Sequence, residues 1–525
     1  MNLTRIARLI FAHRMHEVES WKGREVSLQQ RLLSRMLQQA RETSFGKDNG
    51  FADIVSSVSE GTKIDLPALA ERFAATVPLR AYEDFREDVM RMIEGEKDIL
   101  WTGTCTHFAQ SSGTTGGRSK YLPITEEGLK LNHYKGAACS VALYLKSNPA
   151  SRMFAGKGLV LGGSFATEVE TVRKGVVVGD LSATLIERIN PLANIFRVPD
   201  KHTALLPDWQ EKLPLIARKA ADADITNLSG VPSWMMQVLL KVLEIKGATT
   251  LREVWPHLEV FFHGGISFAP YREEYRHLCE GLDMHWSEVY NASEGYFGVQ
   301  DGESDSPALT LLVDAGVYYE FLLLGSDKPV GISDLVPGRV YELVITTVNG
   351  LWRYRLGDTV RIESADPLRF TVAGRTKSFI NAFGEELMED NAERALAEAC
   401  SLEGCSIHNY TVAPVYAHDR VKGRHQWLIE WKRKPKDTES FARVLDERLR
   451  ALNSDYDAKR SHDIFLDPLM VTPVPRGTFE RWLAASGNGK IGGQRKIPRL
   501  SNDRAIADSI ESLLQPGSSS CPQLL

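Results

Sequence analysis

Residues 109–125 have the sequence AQSSGTTGGRSKYLPIT. Seven consecutive positions, Ser111 to Gly117, hold four small hydroxyl residues and three glycines, and Lys120 follows closely. Such residues bury little apolar surface, so they add little to a core. They do expose backbone N–H groups and hydroxyls, which can surround a bulky anion. The stretch therefore predicts a phosphate-binding loop with Lys120 as its cation, and a polar turn between two strands is the alternative.

Two common phosphate loops do not fit this stretch. A Walker A loop needs a second glycine five residues after the first, and Arg118 stands at that place after Gly113. A dinucleotide-binding loop needs Gly-x-Gly-x-x-Gly, which the spacing of Gly113, Gly116 and Gly117 does not give. The hydroxyl-rich composition instead favours a loop that wraps the β- and γ-phosphates of ATP.

The composition is that of a globular protein with several domains. The chain has 525 residues, of which 43% are hydrophobic and 25% charged, and its net charge is −5. The net charge is negative and lysine and arginine are scattered, so we expect no nucleic-acid partner and no membrane. No obligate protein partner is evident from the sequence. Six cysteines in so long a chain do not suggest a disulfide framework, and we expect a cytoplasmic protein.

Strand and helix patterns indicate two kinds of organisation along the chain. The segments EVWPHLEVFFHGG and LDMHWSEVYNASEG each predict a strand with a polar or glycine-rich end, and YREEYRHLCEG between them predicts a helix. This alternation is typical of a parallel sheet, whose ligands bind at the carboxyl ends of the strands. Asn349-Gly350 predicts a hairpin between two β-rich runs. From about Ser378 helices and alternating strands predict a separate small α+β domain, in which EELMEDNAERALAEAC is a helix.

The chain resembles the adenylate-forming superfamily, which includes acyl-CoA synthetases, adenylation domains and luciferases. Motifs similar to those of the superfamily occur in its order: SSGTTGGRSK from Ser111, FFHGG from Phe261, YNASE from Tyr290, YRLGD from Tyr354 and GRTKSFINAFGEEL from Gly374. Any one of them is a weak signal, but all of them in order are a strong one.

Within that superfamily the chain most resembles the auxin-responsive promoter family of acyl acid amido synthetases, in its bacterial branch. Further similar segments span the chain: ARETSFGKDNGF, VPLRAYEDFREDVMRMIEGEKDILW, SGVPSW and GGQRKIPRLSND. The resemblance implies an α/β fold. Residues 1–377 would form a large domain that binds ATP and the acyl acid, with mixed or parallel sheets, helices and a barrel-like part. Residues 378–515 would form a small α+β domain that rotates about a hinge, and residues 516–525 a disordered tail.

The resemblance also implies a function, an ATP-dependent ligase. A carboxylic acid attacks the α-phosphorus of ATP to give acyl-AMP and pyrophosphate, and an amino acid amine then displaces AMP to give an amide. Two alternatives stay open: transfer of the acyl group to coenzyme A, which gives a thioester, and a nucleotide-binding regulator without catalysis. The implied cofactors are ATP and Mg²⁺, and the acid and amino acid are not identified.

Matching positions supply the implied site residues. The catalytic residues are Lys120, Lys496 and Glu294. Lys490 is the alternative to Lys496. The nucleotide-binding residues are Ser111, Ser112, Gly113, Thr114, Thr115, Gly116, Lys120, Gly264, Gly265, Tyr290, Ser293, Glu294, Asp358 and Arg375. Glu294 is also the expected magnesium ligand. Tyr290 would stack on adenine, and Asp358 would accept hydrogen bonds from the ribose hydroxyls. The acid pocket, an apolar wall with a few polar groups, is expected from Ser164, Phe165, Val231, Trp234, Phe262 and His263.

Overall fold

The computed structural model describes residues 2–21, 23–60, 63–111, 120–165, 173–266, 268, 271–301, 307–324, 326–375, 379–385, 387–416, 422–461, 466–485 and 497–514. These residues divide into two compact units, one of residues 2–111 and 120–375 and one of residues 379–514. The catalytic and binding roles assigned to the two predicted domains stay predictions. Among the helices of the described residues, none has the length and apolarity needed to cross a bilayer.

The first unit contains both helices and strands. Its α-helices are α1 (Thr4–Glu19), α2 (Glu25–Ala40), α3 (Ser44–Asp48), α4 (Phe51–Ser57), α5 (Leu66–Thr76), α6 (Arg86–Ile93), α7 (Glu126–Gly128), α8 (Tyr134–Ser147), α9 (Leu181–Glu187), α10 (Pro191–Asn194), α11 (Lys201–Ala204), α12 (Trp209–Ala221), α13 (Pro232–Lys246), α14 (Leu251–Val254) and α15 (Arg272–Leu278). Its strands are β1 (Ser59–Glu60), β2 (Lys63–Ile64), β3 (His107–Ser111), β4 (Lys120–Ile124), β5 (Lys157–Val160), β6 (Val177–Gly179), β7 (Arg197–Val198), β8 (Ile225–Gly230), β9 (Val260–His263), β10 (His285–Ala292), β11 (Gly295–Gln300), β12 (Leu309–Leu311), β13 (Val317–Leu323), β14 (Val340–Thr347), β15 (Tyr354–Ala365) and β16 (Leu368–Arg375).

An 11-stranded sheet forms the framework of this unit, with the order β13-β14-β15-β16-β12-β11-β10-β9-β8-β5-β7. Strands β10, β9, β8, β5 and β7 pair in parallel, as the strand and helix pattern predicts. Strand β10 belongs to both halves, because residues 285–288 pair in parallel with β9 and residues 289–292 pair antiparallel with β11. The carboxyl end of β10 therefore lies where the sheet changes from parallel to antiparallel.

The strands from β11 to β16 correct one expectation. A barrel-like part was predicted, but these strands form the antiparallel half of an open sheet. In the pairing that the structure describes, β13 and β7 are the two edges, because each pairs with a single neighbour of this sheet. The Asn349-Gly350 hairpin is confirmed, since β14 and β15 pair antiparallel around it and Gly350 has a φ of 89°.

Two other features of the first unit bear on the site. A smaller sheet has the order β4-β3-β6, in which β3 and β4 run antiparallel and β3 and β6 parallel. The helices pack around a core in which Trp352 contacts Trp101 at 5.8 Å and Phe51 at 4.6 Å between ring centroids. Trp352 is completely buried, so this core anchors the turn that leads into β15.

The second unit is an α+β unit. Its helices are α16 (Glu389–Leu402), α17 (Thr438–Leu452), α18 (Ser454–Arg460), α19 (Thr478–Ala485) and α20 (Ala505–Ser512). Its strands are β17 (Phe379–Ile380), β18 (Leu387–Met388), β19 (Ser406–Tyr416), β20 (Gly423–Arg433) and β21 (Met470–Val474). The helix predicted for EELMEDNAERALAEAC begins only at Glu389, because Leu387 and Met388 pair with β17 instead.

Candidate active site

Strands β3 and β4 flank the glycine- and hydroxyl-rich stretch. Their register pairs Ser111 with Lys120, so these two half-buried residues are cross-strand neighbours. The other predicted loop residues lie outside the described residues: Ser112, Gly113, Thr114, Thr115 and Gly116. The strand pairing nevertheless brings the predicted cation next to the first hydroxyl of the stretch.

Aromatic side chains hold the Lys120 ammonium. Its Nζ donates a hydrogen bond to the Tyr354 hydroxyl at 3.0 Å. Nζ also lies 5.9 Å from the ring centroid of Tyr82 and 5.8 Å from that of Tyr354, distances at which a ring face attracts a cation. The Tyr82 hydroxyl in turn accepts the N–H of Tyr121 at 2.6 Å, within the same strand as Lys120. The Lys120 ammonium is therefore fixed between the Tyr82 ring and Tyr354, the first residue of β15.

Tyr354 is a site residue that the motif contains but that we did not assign a role. It begins YRLGD, and only the aspartate of that motif was predicted to bind the nucleotide. Because Tyr354 is 1% exposed, its hydroxyl is oriented by the surrounding core. The motif itself was visible in the sequence. The contact of Tyr354 with Lys120 was not, because it joins two segments that are distant along the chain.

Tyr290 of β10 and Asp358 of β15 form a second contact between segments that are distant along the chain. The Tyr290 hydroxyl donates a hydrogen bond to Asp358 Oδ2. The Tyr290 ring packs edge to face with Phe297, with 5.0 Å between centroids, and Asp358 is 7% exposed. The structure thus brings together the residues predicted to meet adenine and ribose. Stacking on adenine and acceptance from ribose stay predictions.

Arg375 lies beside this pair along the sheet. The register of β15 and β16 places Asp358 directly opposite Arg375, which is the last residue of β16. The Arg375 side chain is outside the described part of the structure. Its backbone position agrees with a role near the same part of the nucleotide.

Ser293 and Glu294 form the two-residue turn between β10 and β11. The flanking residues Ala292 and Gly295 pair across the hairpin. Glu294 is 7% exposed, so the turn holds its carboxylate in a largely buried position. In the searched, described residues there is no cluster of three or more acidic, histidine or cysteine side chains able to hold a metal. A single carboxylate fits Mg²⁺, which commonly binds through one or two carboxylates, substrate phosphates and water.

The glycine pair after β9 is required by close packing. A Cβ on Gly264 would lie 2.2 Å from the carbonyl oxygen of Val289 in β10, so a side chain there would push the two strands apart. Gly265 has a φ of +85°, which L side chains rarely adopt. Its added Cβ would lie 3.3 Å from Val231 Cγ2, so Val231 lies directly against this turn. The structure therefore brings Val231 and the glycine pair together.

Phe262 and His263 are neighbours in β9 and contact different side chains. Successive side chains of a strand face opposite sides of the sheet. Phe262 packs edge to face with Tyr144 of α8 at 5.8 Å, whereas His263 stacks on Phe268 at 4.2 Å. His263 is 3% exposed, and its burial lowers its pKa to about 3, so it is neutral at physiological pH. Both side chains are largely buried, and their roles in binding the acid stay predictions.

Ser164 and Phe165 follow β5 in a segment tied to two other elements. The Ser164 N–H donates to Asp180 Oδ2 at 2.7 Å. Nζ of Lys212, in α12, donates to the carbonyls of Gly162 at 2.7 Å and Gly163 at 3.1 Å. We did not predict Lys212 from the sequence. The sequence pattern that could have found Lys212 is its spacing: it lies four and eight residues before Ile216 and Ala220, which are buried on the same face of the helix.

The same helix contacts Trp234, another predicted pocket residue. Trp209, at the start of α12, packs edge to face with Trp234 at 4.8 Å. Trp209 Nε1 also donates to Gln237 Oε1 of α13 at 3.1 Å. Helix α12 thus contacts both the segment after β5 and the first turns of α13. Lys496 and Lys490 lie beyond the described residues, so the choice between them stays open.

Comparison with known proteins gives matches along most of the chain. Three family models match: the GH3 family N-terminal domain at residues 14–284, the GH3 family central domain at residues 310–375 and the GH3 family C-terminal domain at residues 390–505. A curated relative is the indole-3-acetic acid-amido synthetase GH3.4 of Arabidopsis thaliana. It is 25% identical over 532 residues, which cover 86% of this chain and 87% of that protein.

Solved structures show the same fold. The AtGH3.15 acyl acid amido synthetase in complex with 2,4-DB superposes with a TM-score of 0.60 and 19% identity, over 96% of each chain. A 2-hydroxyisobutyryl-CoA ligase solved with 2-HIB-AMP and CoA gives a TM-score of 0.55 and 13% identity, over 93% of this chain and 91% of that one. The fold is thus shared with adenylate-forming enzymes, and the family models cover more than half of the sequence. The chain belongs to the GH3 family.

Proposed function

We propose that this protein activates a carboxylic acid with ATP and joins it to the amine of an amino acid. The observation that carries the proposal is the pair of contacts at the ends of β10 and β15, Tyr290 with Asp358 and Lys120 with Tyr354. They supply a cation from β4, an aromatic ring from β10 and a carboxylate from β15, and the Glu294 turn directly follows β10. The name of the indole-3-acetic acid-amido synthetase relative supports a carboxylic acid as substrate and an amide as product.

In the first half-reaction the acid carboxylate attacks the α-phosphorus of ATP, and pyrophosphate leaves. Carboxylate and triphosphate repel each other, so the site must neutralise charge and hold both in line. Lys120 and the hydroxyl and N–H groups from Ser111 onward would bind the leaving phosphates. Lys496 would stabilise the α-phosphate as charge develops there.

The nucleoside would be bound by the second contact. Asp358 would accept hydrogen bonds from the ribose hydroxyls, and Tyr290, oriented by its bond to Asp358, would stack on adenine. Glu294 would hold Mg²⁺, which screens the phosphate charge when bound. Ser293 lies beside it in the same turn, and the backbone of Gly264 and Gly265 would approach the adenine.

In the second half-reaction the neutral amine of the amino acid attacks the acyl carbonyl, an amide bond forms and AMP leaves. The acid would lie between the Ser164–Phe165 segment and the start of α13, near Val231 and Trp234. An aromatic or hydrophobic acid suits the tryptophan and valine side chains there.

The test is acid-dependent exchange of labelled pyrophosphate into ATP, across aromatic, indolic and aliphatic acids. Exchange needs no acceptor, so it isolates the first half-reaction. With an active acid, amino acids and coenzyme A are then offered separately, and amide, thioester and AMP are quantified. Amide formation with AMP release is expected. Thioester formation instead of amide would favour the coenzyme A alternative, and no exchange by folded protein that binds ATP would contradict the proposal.

A further inference from the structure

Beyond its last pairing with β8, the segment after β5 is held mainly by side chains, together with one backbone hydrogen bond from the Asp180 N–H to the Ser164 carbonyl at 2.9 Å. The N–H of Leu161 still donates to the carbonyl of Ser229 in β8, at 2.9 Å. Beyond it, Ser182 Oγ accepts the N–H of Gly163 at 2.8 Å, and Asp180 Oδ2 accepts the N–H of Ser164 at 2.7 Å. The N–H groups of Gly163 and Ser164 therefore depend on Ser182 of α9 and on Asp180, which immediately precedes that helix.

Lys212 binds the same segment from the other side. Its ammonium donates to the carbonyls of Gly162 and Gly163, at 2.7 and 3.1 Å. The residue is 2% exposed, and burying an ammonium group costs free energy unless it is hydrogen-bonded. An apolar side chain at this position of α12 would pack without that cost. The buried lysine is therefore best explained by its hydrogen bonds to the two carbonyls.

The two glycines allow this arrangement. A Cβ on Gly163 would lie 1.8 Å from Asp180 Oδ2, and a Cβ on Gly162 would lie 2.5 Å from Ile186 Cδ1 of α9. Only glycine lets the carboxylate approach the backbone so closely. The backbone from Gly162 to Ser164 is thus bound by an ammonium, a hydroxyl and a carboxylate from three positions in the chain.

Helix α12 also contacts Trp234, the predicted pocket residue in the first turn of α13. Trp209 lies one turn before Lys212 and packs against Trp234 at 4.8 Å between centroids. The helix therefore sets the position of the segment after β5 relative to the first turn of α13. Those are the two elements between which we place the acid.

We propose that Lys212 is a positioning residue for the acyl acid, which holds the Gly162 and Gly163 carbonyls so that Ser164 and Phe165 face the substrate. This inference rests on the proposed function. Lys212 does not touch the acid in this proposal and takes no part in proton transfer. Its removal changes how well the acid binds and leaves ATP binding as it was.

The test compares Lys212→Met with Lys219→Met in the pyrophosphate exchange assay. Both changes lie in α12 and remove one ammonium, but Lys219 is an exposed lysine whose partners are Asp200 and Thr203. We expect Lys212→Met to raise KM for the acid about 10-fold or more, equivalent to about 1.4 kcal/mol of binding. KM for ATP should stay within about twofold in both variants. A structural role alone would lower the active fraction and leave both KM values unchanged.

The results distinguish a failure of this inference from a failure of the proposed function. An unchanged acid KM in folded Lys212→Met overturns the inference while wild-type exchange still supports the proposed function. No exchange by the wild-type protein with any acid overturns both. If Lys212→Met does not fold, amide hydrogen exchange of the wild-type protein decides. Acid with ATP should slow exchange in residues 161–165 more than ATP alone, and equal exchange rates overturn the inference.

Discussion

The Lys120 ammonium donates a hydrogen bond to the Tyr354 hydroxyl, with 3.0 Å between Nζ and Oη. This bond joins the strand after the predicted phosphate loop to the first residue of the YRLGD motif. It links two parts of the predicted nucleotide site that are more than two hundred residues apart in the chain.

Lys120→Ala should lower the rate of pyrophosphate exchange by about 10²–10³-fold, because a preorganised donor to developing charge is lost. Tyr354→Phe should cost less, about 10-fold, since the ammonium remains but is less well fixed. Exchange kinetics measure both, and circular dichroism checks the fold. Near-normal exchange by Lys120→Ala would contradict the assignment.

Glu294→Gln should reduce exchange strongly and raise the Mg²⁺ concentration needed for half-maximal rate. The amide keeps the size of the side chain but loses the charge that binds the ion. A magnesium titration measures this. Glu363→Gln, an exposed carboxylate farther along β15, is the control and should titrate like the wild type. Equal magnesium dependence in all three proteins would exclude Glu294 as a ligand.

Asp358→Asn should raise KM for ATP about 10-fold with little change in stability. The amide oxygen can still accept the Tyr290 hydrogen bond, but its hydrogen bonds to ribose lose their ionic character. Tyr290→Phe and the double variant complete a cycle that measures the coupling of the two residues. Additive effects on KM would mean that the Tyr290–Asp358 contact does not serve nucleotide binding.

Gly264→Ala should destabilise the protein by about 1–3 kcal/mol, because its Cβ would meet the Val289 carbonyl oxygen at 2.2 Å. Gly331→Ala is the matched control, since its nearest atoms are 3.8 Å or farther away. Urea unfolding of both variants measures the difference. A Gly264→Ala protein as stable as the control would show that the strands can separate there without cost.

The buried Lys212 should make stability depend on pH. Burial lowers the pKa of Lys212 from 10.5 to about 8, so the folded protein releases this proton at lower pH than the unfolded chain. Between about pH 8 and 10.5 the unfolded state binds more protons, and stability from this group rises with pH.

Lys212→Met lacks this contribution. The free energy of unfolding of the wild type should therefore rise relative to the variant, by on the order of 1–3 kcal/mol across that window. Urea unfolding at pH 7.5, 8.5 and 9.5 measures the difference, in which other titrating groups cancel. A constant difference between the two proteins would contradict the shifted pKa.

Several site features could be predicted because they depend on neighbouring residues. The Asn349-Gly350 hairpin follows from turn preferences, and the parallel strands before Gly264 and Tyr290 follow from the alternation of strand and helix. The motif order, from Ser111 to Gly374, gave the family. Phe262 and His263 were predicted together from one motif, and strand alternation turns them to opposite faces of the sheet.

The amino-acid sequence by itself determined which chemical groups this protein carries, the hairpin and the alternation of strands and helices, because these depend on residue type and local backbone preference. Only the tertiary structure decided that Lys120 meets Tyr354, that Tyr290 meets Asp358 and that Lys212 binds the carbonyls after β5. Each of these contacts joins segments that are distant along the chain. Their geometry is set by how the sheet and helices pack, which no local pattern contains.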